Sequence, residues 1–448
     1  MTRWTQPLRP HSADLLWPAL PSGAAARVLS LLYQLEQTQL WPRAQLVEAA
    51  QFQLARLLEH ARSRVPFYAA RPSGAELGAQ PLLTRREVAA EREALWCREL
   101  GAEHGGTSVV QTSGSTGQIV EVRRTDVCRD FLLALGLRAH VAHGSDFRRS
   151  LLAIRADTPH LLDEATASAR GWGQPASLLY RTGPGYGLPI STSVSEQAQV
   201  IERLAPGYLL TYPTNLQALL EHFAVTGRVP RGLQAVRSMG ETLTPQQRAR
   251  CREVLGVPVI DVYSAQEVGI IAVECPQSGL YHVQEESLIV EVLDDAGRAC
   301  EPGQTGRVVV TDLHNFAMPL IRYVIGDRAE VGPACSCGRT TATLSRIWGR
   351  ERNMVTLPSG SRHWPLLGLH EYRRIAPILQ YQAIQRDLTQ IELRLVTAAP
   401  LSPAQEQELT EVVQRALGYA FEITLKYFAH ELPRGPGGKF EEFVSELG

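Results

Sequence analysis

A run of hydroxyl residues and glycines is the stretch of this chain best suited to bind phosphate. Glycines let the backbone turn tightly, and hydroxyls and exposed amides can donate hydrogen bonds to phosphate oxygens. No lysine follows the last glycine, and apolar β-prone residues flank the run on both sides, so it is not a Walker-type loop. A plain Ser/Gly linker is the alternative interpretation. The run consists of Thr112, Ser113, Gly114, Ser115, Thr116 and Gly117.

Three cysteines and a histidine could bind a metal ion. Cys275 and His282 lie seven residues apart, and Cys335 and Cys337 follow in a Cys-Ser-Cys-Gly turn. Soft thiolates with an imidazole favour tetrahedral Zn²⁺, so we predict a structural zinc site that joins the β-rich segment to the nucleotide-binding lobe. Four unrelated residues, with a hydrogen-bonded surface histidine, are the alternative. The other cysteines are scattered and receive no role.

Polar residues also follow two apolar segments that are typical of strands. Gly240-Glu241 comes after Leu233 to Ser238, and Tyr263 to Glu267 comes after Val257 to Val262. In open α/β sheets, ligands bind at the carboxyl ends of the strands. Glu267 beside an apolar strand would be costly to bury without a partner, which favours a role in a site.

The elements that must position these residues alternate between strands and helices, so the chain predicts an α/β fold. A helical hairpin is expected over residues 25–62, and helices are expected to begin at Thr214 and at Thr244, the latter with a capping box. Strands at 288–293 and 307–311 predict an antiparallel β subdomain. A β-α-β tail begins near residue 350 and predicts a separate small domain of α+β type.

Composition narrows the class of protein. The 448 residues carry a formal net charge of −1, so no basic excess indicates binding to nucleic acid or to an anionic membrane. The first residues lack an apolar signal core, and no run is long enough to span a bilayer, so we expect a cytoplasmic protein. Cysteines are then better interpreted as thiols or metal ligands than as a disulfide framework.

Together these stretches resemble the adenylate-forming superfamily and, within it, the branch of phenylacetate–CoA ligase-like enzymes. The resemblance extends from the helical start to Lys439, and its strength lies in the order and spacing of the motifs. The motifs are residues 112–117, Gly240-Glu241, Tyr263 to Glu267, Pro319 to Asp327, Cys337-Gly338-Arg339, Gly349-Arg350 and Gly438-Lys439.

The resemblance implies that a carboxylate attacks the α-phosphorus of ATP, which gives acyl-AMP and pyrophosphate. Residues 112–117 would hold the β- and γ-phosphates, and Glu267 would hold Mg²⁺. Lys439 would place positive charge on the transferring phosphate. The expected organisation is a large adenylation lobe over residues 1–349 and a mobile C-terminal domain over residues 350–448 that carries this lysine.

The resemblance also implies contacts to the nucleoside. Tyr263 would stack on adenine, Gly240-Glu241 would close the other side of the base, and Asp327 would accept hydrogen bonds from the ribose hydroxyls. Arg350 could also reach the ribose or the phosphates. The remaining nucleotide contacts fall at Ser264 and Gln266.

Several positions depart from the family pattern. Gln118 stands where a proline is usual, and Gln266 and Ile325 stand where hydroxyl residues are usual. An amide can still donate to phosphate, although with different geometry. The residues after Arg350 lack the expected acidic side chains. These changes leave the adenylation residues in place and bear on the second half-reaction and its acceptor.

The leading hypothesis is a ligase that adenylates a carboxylic acid, expected to be aromatic, and transfers the acyl group to coenzyme A. Transfer to a carrier-protein thiol or to an amine, as in secondary metabolism, is the second hypothesis. A catalytically silent nucleotide-binding protein is the third. The sequence leaves open which acid is used and the oligomeric state, a homodimer included.

Overall fold

The computed structural model of this chain describes residues 8–71, 74, 76–112, 120–156, 158–365, 372, 374–435 and 438–447. It divides into two compact units, Met1–Ile347 and Trp348–Gly448. The domain boundary predicted from the sequence, between residues 349 and 350, lies two residues after this division. Mixed helices and strands around a large sheet confirm the α/β fold.

The first unit begins with two long helices, α1 (Gly23–Thr38) and α2 (Arg43–Arg64), as the two apolar stripes predict. The side chain of Ser22 accepts a hydrogen bond from the backbone of Ala25 and so caps α1. Short helices follow, and a long one then packs against α1. These elements are α3 (Pro66–Ala69), α4 (Arg85–Ala90), α5 (Arg92–Leu95) and α6 (Asp126–Ala142).

A small antiparallel ribbon comes before α6. Its strands are β1 (Thr107–Gln111) and β2 (Glu121–Thr125), which the apolar residues on both sides of the Ser/Gly run predict. Residues 113–119 lie outside the described residues. The pairing of β1 with β2 fixes the positions of both ends of the connection between these strands.

The parallel strands of the large sheet alternate with helices along the chain. Its five neighbouring strands occur in the order β7-β6-β5-β3-β4 and are all parallel. They are β3 (Leu151–Arg155), β4 (Gly185–Pro189), β5 (Tyr208–Thr211), β6 (Ala235–Met239) and β7 (Val259–Ala265). The helices between them are α7 (Glu164–Arg170), α8 (Ala176–Leu179), α9 (Val194–Leu204), α10 (Pro213–Thr226) and α11 (Pro245–Leu255).

Two expected helix starts have different outcomes. α11 begins as predicted, with the Thr244–Gln247 capping box and Pro245 at the first helical position. The prediction for Thr214 was wrong, because Pro213 occupies the first turn of α10 and Tyr212 is the residue that precedes the helix. The backbone N–H of Thr214 instead donates to the carboxylate of Glu241, at 3.0 Å.

The antiparallel strands belong to the same sheet. They continue it in the order β10-β11-β12-β13-β9-β8 next to β7, so the predicted antiparallel region is present and joins the parallel strands in one sheet. A hairpin directly after β7 makes the connection, since β8 pairs antiparallel with both β7 and β9. The strands are β8 (Gly269–Glu274), β9 (Tyr281–Val283), β10 (Leu288–Leu293), β11 (Thr305–Asp312), β12 (Tyr323–Val331) and β13 (Thr343–Arg350).

The second unit has its own four-stranded sheet and core. The predicted β-α-β tail is β17, α12 and β18, with β17 and β18 parallel neighbours. Among its described residues, no helix is long and apolar enough to cross a bilayer, and the same holds for those of the first unit. Its elements are β14 (Val355–Thr356), β15 (Arg362–His363), β16 (Ile378–Gln385), β17 (Gln390–Thr397), α12 (Pro403–Leu417), β18 (Glu422–Phe428) and β19 (Phe443–Ser445).

Candidate active site

A buried carboxylate lies at the carboxyl edge of the parallel strands. Glu267 is 2% exposed and follows β7 in the turn that leads to β8. Its Oε1 accepts a hydrogen bond from Nη1 of Arg85, at 2.6 Å, and another from the hydroxyl of Tyr323, at 3.2 Å. The guanidinium compensates the charge of the buried carboxylate. Both hydrogen bonds that the described residues make to this side chain fall on Oε1, so Oε2 is the oxygen that could bind a cation.

Arg85 reaches this position through its own short helix. Thr84 and Glu87 form a capping box that fixes the start of α4, and Arg85 is the first residue of that helix. Just before it, Leu83 donates its N–H to the carbonyl of Arg322 and accepts from the N–H of Val324. These two backbone bonds tie the chain to β12 and so place Arg85 beside Glu267.

The same arginine connects the carboxylate to the phosphate-loop candidate. Nη2 of Arg85 donates to Oγ1 of Thr112, at 2.7 Å. Thr112 also holds the two ends of the connection together, because its N–H donates to the carbonyl of Val120 and its hydroxyl accepts from the N–H of Val120. The candidate phosphate ligands Ser113, Gly114, Ser115, Thr116 and Gly117, and the departure at Gln118, lie outside the described residues.

Tyr263 and Asp327 meet across two strands that are distant in the sequence. The Tyr263 hydroxyl donates to Oδ2 of Asp327 at 2.9 Å, and both side chains are 7% exposed. Gly326 has a φ of +85°, a conformation that side chains rarely adopt, so a glycine is needed directly before Asp327. The hydrogen bond fixes the orientation of the phenol ring. The predicted roles in adenine and ribose binding remain predictions.

The other predicted nucleotide contacts of this unit lie at the same edge. Gly240 has a φ of +80° directly after β6, and this turn presents Glu241 to the start of α10. The carbonyl of Gln266 accepts from the guanidinium of Arg124, which is in β2. Ser264 is next to a register shift between β7 and β8. The structure therefore brings Gly240, Glu241, Ser264 and Gln266 to the turns that follow two adjacent strands.

Arg350 and Lys439 belong to the second unit. Arg350 is the last residue of β13 and precedes a 3₁₀ turn at Glu351–Asn353. The carbonyl of Lys439 accepts from the N–H of Gly435 at 2.9 Å, and Gly438 before it has a φ of +71°. This hydrogen bond brings the backbones of Gly435 and Lys439 together. The roles predicted for both residues remain predictions.

A second buried acid fixes the strands beneath the site. Asp261 in β7 accepts from the hydroxyl of Ser238 at 2.5 Å and from that of Tyr281 at 2.7 Å, while its N–H donates to Glu274. Burial raises the pKa of Asp261 and, together with Asp261 itself, raises that of Tyr281. The interaction joins β6, β7 and β9, so the register of these strands is specified by polar groups as well as by packing.

The four predicted zinc ligands come together. Their ligand atoms all lie within 4.8 Å of one another, with 3.8 Å between Sγ of Cys335 and Cys275 and 3.3 Å between Sγ of Cys337 and Nε2 of His282. A tetrahedral zinc site requires edges of roughly 3.5–3.8 Å between such atoms, given its bond lengths. The other ring nitrogen of His282 contacts Thr341 Oγ1 at 2.9 Å, the usual second contact of a ligating histidine.

The pKa values of the side chains in this cluster are shifted in different directions. Burial raises the pKa of Cys275, but hydrogen bonds from Ser278 and from the backbone outweigh it and lower the value to about 7. Burial raises the pKa of Cys337 to about 11. Burial, helped by the charge of Arg339, lowers the pKa of His282 to about 4, so its imidazole is neutral at pH 7.

Arg85 and Tyr323 are the functional-site residues that sequence patterns missed. The capping box at Thr84–Glu87 is a signal for the helix that carries Arg85, but no spacing links this residue to Glu267, 182 positions later. Tyr323 is part of the motif from Pro319 to Asp327. Its fully buried side chain resembles ordinary core until the hydrogen bond to Glu267 is seen.

Comparison with known proteins shows which proteins this chain resembles in fold. No protein-family profile matches the chain. In structure, it is similar to a 2-hydroxyisobutyryl-CoA ligase in the postadenylation state, with a TM-score of 0.69 and 18% identity over 92% of each chain. An anthranilate CoA ligase in complex with anthranoyl-AMP gives a TM-score of 0.54 and 19% identity, over 74% of this chain and 64% of that one. The fold is that of the adenylate-forming ligases.

Sequence relatives give the branch. The chain is 25% identical over 362 residues to the phenylacetate–coenzyme A ligase of Thermus thermophilus, which covers 68% of this chain and 80% of that enzyme. It is 25% identical over 177 residues to the enzyme of the same name from Pseudomonas putida, which covers 38% of this chain and 40% of the relative. The resemblance to phenylacetate–CoA ligase-like members of the adenylate-forming superfamily is therefore confirmed.

The pairing of Arg85 with Glu267 predicts a stability test. Arg85→Ala leaves Glu267 buried without its counter-charge, so the free energy of unfolding should fall by about 3 kcal/mol. Adding Glu267→Gln removes the orphaned charge and should recover most of the loss. Urea denaturation of the single and double variants measures both effects. Arg86→Ala, at the exposed neighbouring position of the same helix, is the control and should change stability by less than about 0.5 kcal/mol. A double variant as unstable as Arg85→Ala would contradict the pairing.

Proposed function

We propose that this protein is an AMP-forming carboxylic acid–CoA ligase. A carboxylate oxygen of the acid bonds to the α-phosphorus of ATP while the bond to pyrophosphate breaks, which gives acyl-AMP. The thiol of coenzyme A then attacks the acyl carbon, and AMP leaves. The observation that carries the proposal is the buried Glu267, held by Arg85 beside Thr112 and the Tyr263–Asp327 pair, in a chain similar to phenylacetate–CoA ligases.

Phosphoryl transfer depends mainly on positioning and on charge stabilisation, and the residues offered here suit it. Residues 112–117 supply hydroxyls and amides for the β- and γ-phosphates. Glu267 would hold Mg²⁺ through Oε2, a fit that follows because this ion is commonly bound by one or two carboxylates together with phosphate oxygens. Bound there, the ion would neutralise phosphate charge. Arg85 pairs with Glu267 at 2.6 Å and so compensates the charge of the buried carboxylate.

Base and ribose contacts are assigned to the neighbouring turns. Tyr263 would stack on adenine, and its bond to Asp327 would hold the ring in the stacking orientation. Gly240-Glu241 would close the opposite side of the base. Asp327 would accept hydrogen bonds from the ribose hydroxyls, and Arg350 would add a positive charge near the ribose or phosphates.

The acid is proposed to be aromatic. Phenylacetate and anthranilate, the acids named for two of the relatives, are aryl acids. Coenzyme A is the proposed acceptor because the phenylacetate–coenzyme A ligase of Thermus thermophilus aligns over 68% of this chain.

Pyrophosphate release tests the first half-reaction directly. With ATP and Mg²⁺, we expect release that depends on an added carboxylic acid and is strongest with aryl acids. Coenzyme A should raise the turnover by removing acyl-AMP. Stimulation by a carrier protein or an amine in place of coenzyme A would assign the acceptor differently. Absence of release with every acid, despite ATP binding in a titration, would contradict the proposal and favour a silent nucleotide-binding protein.

Lys439 should act in only one of the two half-reactions. Lys439→Ala should lower the rate of acyl-AMP formation by at least about 100-fold, the order seen when one charge-stabilising group is removed. Attack of coenzyme A on supplied acyl-AMP should be nearly unchanged. The chain has one other lysine, Lys426, which pairs with Glu392 on the sheet of the second unit, so Lys426→Ala is a matched control that should retain both steps. Equal losses in both steps for Lys439→Ala would contradict the role.

We also propose that Cys275, His282, Cys335 and Cys337 bind a structural zinc ion. A closed set of four protein ligands suits a structural site, since a catalytic zinc ion needs an open position. The ion would tie the hairpin of β8 and β9 to the connection between β12 and β13. It would thereby stabilise the strands next to β7, which carries Tyr263.

Metal analysis of protein purified without added zinc should find about one equivalent. Cys337→Ser should lower the zinc content and the midpoint of thermal unfolding, because metal-binding free energy contributes to folding. Cys300→Ser, at a half-buried thiol outside the cluster, is the control and should retain the metal. Less than about a tenth of an equivalent in the unmodified protein would rule out the site.

A further inference from the structure

One face of the central parallel strands is incompletely covered. Ala153 of β3 and Leu210 of β5 are hydrogen-bonded neighbours in mid-sheet, and Met239 ends β6 on the same face; all three are only half-buried. Their neighbours on the opposite face, Leu152 and Leu209, are 0% and 1% exposed. Parallel strands in such sheets are normally covered on both sides. The half-buried residues therefore form a strip of this face that the described residues do not fully cover, and this strip is called the cleft below.

Arg237 lies in the floor of this cleft. It pairs in register with Leu210 and is 7% exposed, but its one side-chain hydrogen bond within the described ranges goes to Oγ of Ser145 at 3.4 Å. Among the described residues, no carboxylate lies within ion-pair distance of its guanidinium. Burial lowers its pKa to about 10, which still leaves it charged at pH 7. A buried charge without a counter-ion is costly, and proteins rarely keep one without a use for it.

A histidine next to the arginine adds no further positive charge. Burial and the nearby charge of Arg237 lower the pKa of His140 well below its usual range, so its ring is neutral at pH 7. Its Nδ1 is buried and, in the described part of the chain, has no hydrogen-bond partner. The ring lies 5.6 Å from that of Trp172, which itself contacts Tyr208. The deep end of the cleft thus combines an aromatic wall with an unpartnered imidazole nitrogen and the guanidinium of Arg237.

We infer that this cleft binds the part of the acid remote from the reacting carboxyl group, and that this part carries a second carboxylate that pairs with Arg237. The inference rests on the proposed function. Met239 is the last residue of β6 and adjoins Gly240-Glu241, so the upper end of the cleft meets the proposed nucleotide site. Arg237 is two residues earlier in the strand, roughly 7 Å deeper. That separation fits a benzene ring or a short chain between two carboxylates.

Matched pairs of acids test this inference. Benzoate is compared with terephthalate, phenylacetate with 4-carboxyphenylacetate, and hexanoate with adipate, by pyrophosphate release and by the shift in unfolding temperature that each acid produces without ATP. In at least one pair, the diacid should have a kcat/KM at least about tenfold higher. Arg237→Leu should lower kcat/KM for that diacid by at least about 30-fold, mainly through KM, and change the monoacid by less than about twofold.

Stability separates a binding role from a structural one. Arg237→Leu removes an uncompensated buried charge, so the variant without ligand should unfold at the same or a higher temperature than the unmodified protein. The preferred diacid should raise the unfolding temperature of the unmodified protein and of Arg203→Leu, a control at an exposed position on α9, and should leave that of Arg237→Leu unchanged. Arg237→Lys, which keeps the charge, should recover part of the diacid binding.

Failure of the inference and failure of the proposed function give different results. Acid-dependent pyrophosphate release without a diacid preference in any pair, or with equal losses for both acids in Arg237→Leu, overturns the inference and leaves the ligase function. A diacid-induced temperature shift that requires Arg237, without pyrophosphate release from any acid, supports the anion site and contradicts the ligase function. Neither release nor a temperature shift overturns both.

Discussion

A carboxylate can be buried in a protein only if its charge is compensated, and this constraint organises the site around Glu267. Arg85 compensates this charge, so the fold must place this residue of an early helix beside the end of β7. The two backbone hydrogen bonds of Leu83 to β12 achieve this placement, and β12 also supplies Tyr323. A single charge requirement thus joins a helix, the last strand of the parallel sheet and an antiparallel strand, which are far apart in the sequence.

Two buried acids on the same segment are stabilised in different ways. Asp261 is surrounded by hydroxyl donors, and burial raises its pKa, so its role is to hold strands together. Glu267 faces a positively charged guanidinium, and both hydrogen bonds that the described residues donate to it fall on one oxygen. Asp261 and Glu267 lie only six residues apart. Their immediate partners differ, so the first suits a structural role and the second suits the binding of a cation.

Local patterns predicted local structure well. The Thr244 capping box and Gly256 define α11, and the alternation at residues 288–293 gives β10 with its observed ends. Contacts between distant segments were beyond such patterns, since no periodicity relates Arg85 to Glu267. The way in which the antiparallel strands join the parallel sheet was not predictable for a similar reason: the joining hairpin is defined by pairing across β7, β8 and β9, which a single sequence does not display.

Comparison among the buried arginines shows why Arg237 is unusual. Arg138 is paired with Glu286 at 2.7 Å, and the half-buried Arg85 with Glu267 at 2.6 Å, so the fold supplies a carboxylate to each of these guanidiniums. As far as the structure describes the chain, the guanidinium of Arg237 has a single long bond, to a hydroxyl. Residues that lower stability without a compensating contact in the folded protein occur mainly at functional sites. An anionic ligand would supply the missing partner, and the half-buried strand face beside Arg237 is where such a ligand could enter.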